Sequence, residues 1–327
     1  MAAQGRNITL RGAAAKARAL PVAGHGHNVS DMPRSLYAAA VALAAVQTAG
    51  AQLPARDLLR FPTGVAADAT ALAVLLGDGM WNPATASVGP GDRLRVGAGL
   101  VSTAADQAIT VQSAFAATAL PRRATIALSA TRASVRGITR TASSPQSIGE
   151  VPYGVTMLSV LATRRVGRVR SGMAVRYGVG QADEQRSSNI GLDAGVLVER
   201  AGPRDLRIGA ASYLWRPGAG RRDHPLYHGA ADISLAGTDS TSSVRGGYGY
   251  TYAGPGDSEH YLFAAAIARR VELRGGVAVD VRFGSATLRP RLGVGVRHGK
   301  YVISVAREEP PGDFSAVYQF SLATRLF

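Results

Sequence analysis

The sequence predicts an all-β fold: a closed antiparallel transmembrane β-barrel of about fourteen strands, preceded by an N-terminal lumenal or periplasmic segment. Three observations carry this. From about Asp92 onward, apolar residues alternate with small or polar ones at a period of two, and the helical period is almost absent. The connections between the alternating runs sort into long ones on one side and tight turns on the other. An export-type segment stands ahead of them, and the chain closes on an aromatic strand, AVYQFSLATRLF.

The elements follow in chain order. MPRSLYAAAVALAAVQTAGAQLP starts at Met32, with a basic residue at Arg34, an apolar run from Leu36 to Val46, and the small-x-small triplet Ala49-Gly50-Ala51. That is the layout of a secretory signal cleaved after Ala51, with an apolar core too short to span a bilayer as a helix. Residues 1–31 show no periodicity and read as an extended leader or a start placed too early. The organisation is therefore 1–31 leader, 32–51 signal peptide, 52–92 N-terminal segment suited to plug a lumen, and 93–327 barrel.

Fourteen strands are expected near 93–103, 107–120, 123–135, 153–164, 168–178, 190–199, 205–215, 227–236, 242–253, 259–273, 277–283, 286–297, 300–308 and 314–327. On 107–120, Ile109, Val111 and Phe115 share one face and Thr110, Gln112 and Ala114 the other. On 286–297, Leu288, Leu292, Val294 and Val296 oppose Arg289, Arg291 and Arg297. Apolar faces should meet lipid and the small or polar faces the lumen. With both ends on the periplasmic side, the outer connections at 136–152, 179–189, 216–226 and 254–258 are long. The inner ones at 121–122, 165–167, 274–276 and 298–299 are tight. A spanning sheet must close, because lipid offers no partner to an unpaired backbone group. Alternation alone also fits a soluble β-sandwich. In the last strand Tyr318, Phe320 and Leu322 share a face from which Phe327 is out of phase. Either a bulge near Thr324-Arg325 or a terminus beyond the membrane band would account for it. A closing strand of this kind is what the barrel-assembly machinery would receive.

Composition narrows the function. There is no Cys, which excludes disulfides, thiolate metal sites and Cys nucleophiles. The formal charge is +15, and all but Lys16 and Lys300 of the cations are Arg. This fits an anion-binding surface or pore, or the codon usage of a GC-rich genome. The cations are spread along the chain, which argues against a nucleic-acid partner. Arg93, Arg95, Arg170, Arg176, Arg207, Arg245, Arg282, Arg289, Arg291 and Arg297 fall on the expected inner face, with Asp193 and Asp280. They could form anion-selecting rings or a network of ion pairs that rigidifies a plugged barrel. Arg136, Arg140, Arg186, Arg221 and Arg222 fall in outer loops, where outer-membrane lipids and lipopolysaccharide phosphates would be partners.

Between the cleavage site and the first strand, TGVAADATALAVLLGDGMWNPATAS resembles the entry segment of FadL-like outer-membrane barrels and their PorV/PorQ-type relatives. The matching residues are Gly64, Ala66, Asp68, Ala71, Trp81, Asn82, Pro83 and Ala84, and the match covers residues 58–90. The resemblance implies a fourteen-strand barrel whose leading segment sits in the lumen and takes part in gating, with Asp68, Trp81, Asn82 and Pro83 as plug or gate residues. A periplasmic lead-in is the alternative. From the residues alone, Pro83 holds Asn82 out of the helical region, and Trp81 suits a lumen wall or a membrane interface.

No catalytic constellation stands out. Asp223-His224 lies in an outer loop, His228 and Asp232 share a strand face, and GDSEH at 256–260 gathers three potential ligands in a loop. GVGVRHGK has strand periodicity and no following helix, so it is no phosphate loop. The expectation is a non-enzymatic barrel, without cofactor or metal, that binds or passes a small hydrophobic or anionic substrate. The alternative is a PorV-type structural or secretion-partner barrel without transport activity.

Overall fold

The computed structural model describes residues 53–60, 67–73, 79–89, 91–103, 108–141, 146–202, 204–216, 224–237, 242–282, 284–309 and 316–326. All lie within the compact unit Ala40–Phe327. The expected leader at 1–31, the signal peptide at 32–51 and the terminal Phe327 lie outside the described residues.

Among the described residues sixteen strands form: β1 (Leu94–Ser102), β2 (Ile109–Leu120), β3 (Ala124–Val135), β4 (Thr139–Thr141), β5 (Ser147–Glu150), β6 (Tyr153–Val166), β7 (Val169–Ala182), β8 (Gln185–Ala201), β9 (Leu206–Trp215), β10 (Leu226–Ala236), β11 (Ser242–Gly254), β12 (Asp257–Ala268), β13 (Val271–Arg282), β14 (Ser285–His298), β15 (Tyr301–Glu308) and β16 (Val317–Leu326). Fourteen of them close an antiparallel barrel in which sequence neighbours pair, except that β6 pairs with β3 and β16 returns to β1. β4 and β5 form a separate hairpin within the β3–β6 connection. Closure runs from Leu94 opposite Leu326 to Ser102 opposite Tyr318 without a register shift, so no bulge forms at Thr324-Arg325.

The faces are those of a barrel turned apolar side out. Leu128, Leu158, Leu262, Leu288 and Leu292 are all more than half exposed, and Tyr318, Phe320 and Leu322 join them on β16. The residues between them point inward and are buried: Gln319, Ser321, Arg291, Asp193 and Asp280 among them. A soluble sandwich would bury the first set and expose the second, so that alternative does not describe this chain.

Three sequence expectations differ from the structure. β2 is inverted: Val111 and Phe115 are buried inside, and Gln112 and Ala114 face out. The reason is a lumen that is itself apolar at that level, because Val111 packs in a cluster with Leu53, Leu59 and Trp81. The long outer connections expected at 179–189 and 254–258 do not exist. β7 and β8 stay paired up to Ala182 opposite Gln185, and β11 and β12 up to Gly254 opposite Asp257. The polar run QADEQRSSN reads as a loop, yet there the ladder continues with polar residues on both faces. Finally, the turn expected at 274–276 is mid-strand, and the chain reverses between Ala268 and Val271 instead. The connections still sort by end. The longest, 103–108, 136–152, 216–225 and 309–316, share one end of the barrel with the tight turns after β7, β11 and β13, and the other end carries only short turns.

Candidate functional site: an occupied lumen with a loop-side cavity

The described parts of the segment ahead of β1, residues 53–60, 67–73 and 79–89, lie within the barrel. The segment begins at the loop end with a 3-10 turn, Arg56–Arg60, in which Leu58 and Leu59 are buried. Arg56 donates to the carbonyl oxygens of Leu214 (3.1 Å) and His224 (3.0 Å), Arg60 pairs with Asp257 at 2.7 Å, and Asp57 accepts from the Tyr153 hydroxyl at 2.9 Å. From there the chain descends through 67–73 and 79–89 and leaves at the turn end into β1. Ala69, Ala71, Leu72 and Ala84 pack against Leu197, Ala230, Tyr261 and Phe263 of the wall.

The wall is shaped for this passenger. A Cβ at Gly195 would collide with Asn82 Oδ1, one at Gly172 with the Pro83 backbone, one at Gly209 with the Ala71 carbonyl and one at Gly180 with the Pro54 carbonyl. Only glycine lets the segment's backbone and short side chains approach the strands so closely.

Asn82 is the pin. It is fully buried and extended (φ −133°, ψ 105°), as a residue before proline prefers, and Pro83 opens a second 3-10 turn, Pro83–Thr85. Its Oδ1 accepts from the Ala84 amide at 3.0 Å. Its Nδ2 donates to the Ala71 carbonyl at 2.7 Å and to the Val196 carbonyl on β8 at 3.2 Å. One side chain thus ties three stretches of chain together. Trp81 is buried beside Tyr213 and His228, with ring centroids 4.8 and 5.4 Å away. Asp68 pairs with Arg274 of β13, which also meets Glu272 at 2.9 Å. Burial pushes the Asp68 carboxyl above the ordinary carboxylate range, and the Arg274 guanidinium opposes that shift.

The inward arginines are paired. Arg176 bonds Asp193, the Ser159 hydroxyl (2.9 Å) and the Met80 carbonyl of the inner segment (2.5 Å), and it lies over the Tyr213 ring. Arg207 and Arg245 converge on Asp232, and Arg245 also meets Asp205 at 2.9 Å. Arg289 and Arg291 share Glu259 and Glu308. Arg170 pairs with Glu199 and Arg297 with Glu272, each at 3.2 Å. Arg95 is buried over Phe115. Arg282, half exposed at the rim, lies 3.0 Å from Asp280. Arg93 is exposed just before β1, at the turn end.

Between the inner segment and the walls of β10–β16 lies a cavity of about 240 Å³ at the loop end. Thr70, Trp81 and His228 belong to its lining, with four arginines (Arg60, Arg282, Arg289, Arg291) and five carboxylates (Asp57, Asp257, Glu259, Asp280, Glu308). His228 is buried; Thr70 and Thr251 hydroxyls both lie 3.0 Å from its Nδ1. His228 Nε2 and Trp81 Nε1 find no protein partner among the described residues. Sequence reasoning singled out His228 only as a catalyst beside Asp232. The two share the inner face, but Asp232 is engaged by arginines. The 256–260 run splits, with Glu259 turned into the lumen and His260 against Tyr248 and Tyr250 on the other face. No cluster of three metal-ligating residues occurs among the described residues. Glu308, Glu272 and Arg274 were missed by the sequence reading, and Glu259 was read only as one of three potential ligands in a loop. The inner-face periodicity marks the three acids, whereas the misplaced turn hid Arg274.

No described protein family and no curated protein matches the sequence. Among solved structures, the chain is similar to a variant of the Rh. blastica porin at 8% identity, over 72% of this chain and 99% of that one, with a TM-score of 0.39. It is likewise similar to Pseudomonas putida OprB at 9% identity, over 72% of this chain and 92% of that one, with a TM-score of 0.40.

Proposed function

We propose that this protein is an integral outer-membrane barrel that binds a small molecule in its loop-side cavity and passes it only when the N-terminal segment shifts. The membrane assignment follows from the outward belt of exposed leucine, valine and aromatic side chains around a closed sheet. The observation that carries the binding role is the cavity, whose lining includes Trp81 and His228, two buried aromatic side chains whose Nε1 and Nε2 have no protein partner among the described residues. Unpaired buried polar groups are costly, and a ligand that supplies their partners recovers that cost. The walls shape the ligand. Four arginines against five carboxylates do not favour a simple anion, so a molecule with an apolar or aromatic end and a polar or zwitterionic head fits better than the fatty or aromatic acid that the arginine content alone invites.

The test uses Trp81 fluorescence in a Trp215→Phe background, titrated with amino acids, aromatic acids and fatty acids in detergent. A saturable change that is lost in His228→Ala supports the reading. The seated segment also favours a second reading, a PorV-type barrel that serves a secretion partner without transport. A protein that is silent to every ligand, non-conducting in bilayers and recovered with a secretion complex would establish that alternative.

A further inference from the structure

In the lumen, arginines meet carboxylates. Among the described residues, six further arginines gather at the turn end. Arg122 and Arg123 occupy the β2–β3 turn, Arg168 the β6–β7 turn, Arg200 the end of β8, and Arg269 and Arg270 the β12–β13 turn, all exposed. None is engaged by a carboxylate among the described residues. In the sequence these residues are scattered. An up-and-down barrel brings every second connection to one rim, so scattered cations become a girdle. Glu199 and Asp205, two acids near this rim, are already held by Arg170 and Arg245.

Two further observations place the girdle at a lipid boundary. The residues flanking the turns are outward-facing and apolar: Leu120, Val166, Val169 and Val271 are each at least 40% exposed. The guanidinium groups therefore begin where the apolar belt stops. Arg122, Arg123, Arg200 and Arg269 also take left-handed backbone angles, φ 55 to 60°, a region that glycine or asparagine enters at lower cost. An arginine kept at such a position points to a use for its charge.

We propose that this rim is a headgroup site that docks the phosphates of anionic phospholipids in the leaflet at the turn end. Guanidinium groups match phosphate with paired N–H donors, and basic clusters beside an apolar belt attract anionic headgroups. The cations stand on turns distributed around the circumference, which suits a leaflet encircling the barrel better than a single acidic protein on one side. The proposal rests on the membrane reading, which heat-modifiable migration and stable incorporation into vesicles check separately.

The experiment places the full chain in phosphatidylcholine vesicles with trace spin-labelled phosphatidylglycerol or phosphatidylcholine and compares the immobilised fractions. At ~10 mM salt, phosphatidylglycerol should be preferred by about fivefold, the effect of roughly one near-surface cation per lipid. The preference should vanish at ~1 M salt, where screening acts within about 3 Å. The Arg122→Gln/Arg123→Gln/Arg269→Gln/Arg270→Gln variant should lose it, and the matching Lys variant should keep it. Equal association of the two lipids with the wild type, or a preference that survives the Gln substitutions, overturns the proposal. So does binding of a soluble acidic polypeptide without lipid preference.

Discussion

Asn82→Ala should release the inner segment while leaving the barrel standing. The substitution deletes three side-chain hydrogen bonds, to Ala71, Ala84 and Val196, all within 3.2 Å. Each contributes about 1 kcal/mol net, and a buried partner left unsatisfied costs ~1–3 kcal/mol. Two carbonyls and one amide would lose a partner, and the 3-10 turn at Pro83 would lose its cap. A loss of about 3–5 kcal/mol in the seating equilibrium follows, which multiplies the unseated population by roughly 10²–10³ or more. None of the fourteen barrel ladders passes through this segment, so heat-modifiable migration should be unchanged. The assay is single-channel recording in planar bilayers with limited proteolysis of the same preparation. More frequent openings, with new cleavage within residues 67–73 or 79–89, are expected. If conductance and proteolysis match wild type, Asn82 is no pin. If the heat-modifiable form is itself lost, the segment is needed to build the barrel and the seating argument fails.

Other predictions follow from the same contacts. Gly195→Val should mimic Asn82→Ala, because the added side chain occupies the space of the Asn82 amide; a silent, protease-resistant variant would contradict the close packing. Arg291→Ala leaves Glu259 and Glu308 facing the lumen with only Arg289 between them. Breaking such a buried network should cost about 3–5 kcal/mol and lower the temperature of gel-mobility conversion; an unchanged conversion would show that the network contributes little. Acidification should hold the inner segment in place. The seated Asp68 carboxyl is pushed up, so between the ordinary value of ~3.9 and its raised value the seated state binds more protons than the released one. Seating is therefore favoured as pH falls through that window and weakened as pH rises, and openings that increase on acidification would reverse the sign.

Much of the architecture was legible because a barrel wall is a two-sided surface. Lipid on one side and lumen on the other impose a period of two over the whole chain, so the number of strands and most faces could be read residue by residue. The reading failed where a third partner intervened. Val111 and Phe115 look lipid-facing by type, yet Val111 meets apolar groups of the inner segment, and Phe115 turns inward against Ala323 and the Arg95 guanidinium. Gly275-Gly276 looks like a turn, but Gly276 lies mid-strand because a Cβ there would strike the Leu262 carbonyl. The true turn, Arg269-Arg270, carries no Gly, Pro, Asn or Asp to announce it.

By itself the sequence determined the fold class, the fourteen-strand count, the outward apolar faces and the weight of arginine. Tertiary structure alone decided what those arginines meet. Asp68 and Arg274 lie 206 positions apart, and Glu259 and Arg291 lie 32 apart; only closure and register bring each pair together. Closure likewise separated the charges, with ion pairs in the lumen and free cations on the turn-end rim. Local pattern reports the environment of each face, whereas pairing depends on where a closed sheet returns the chain, and no window of sequence contains that.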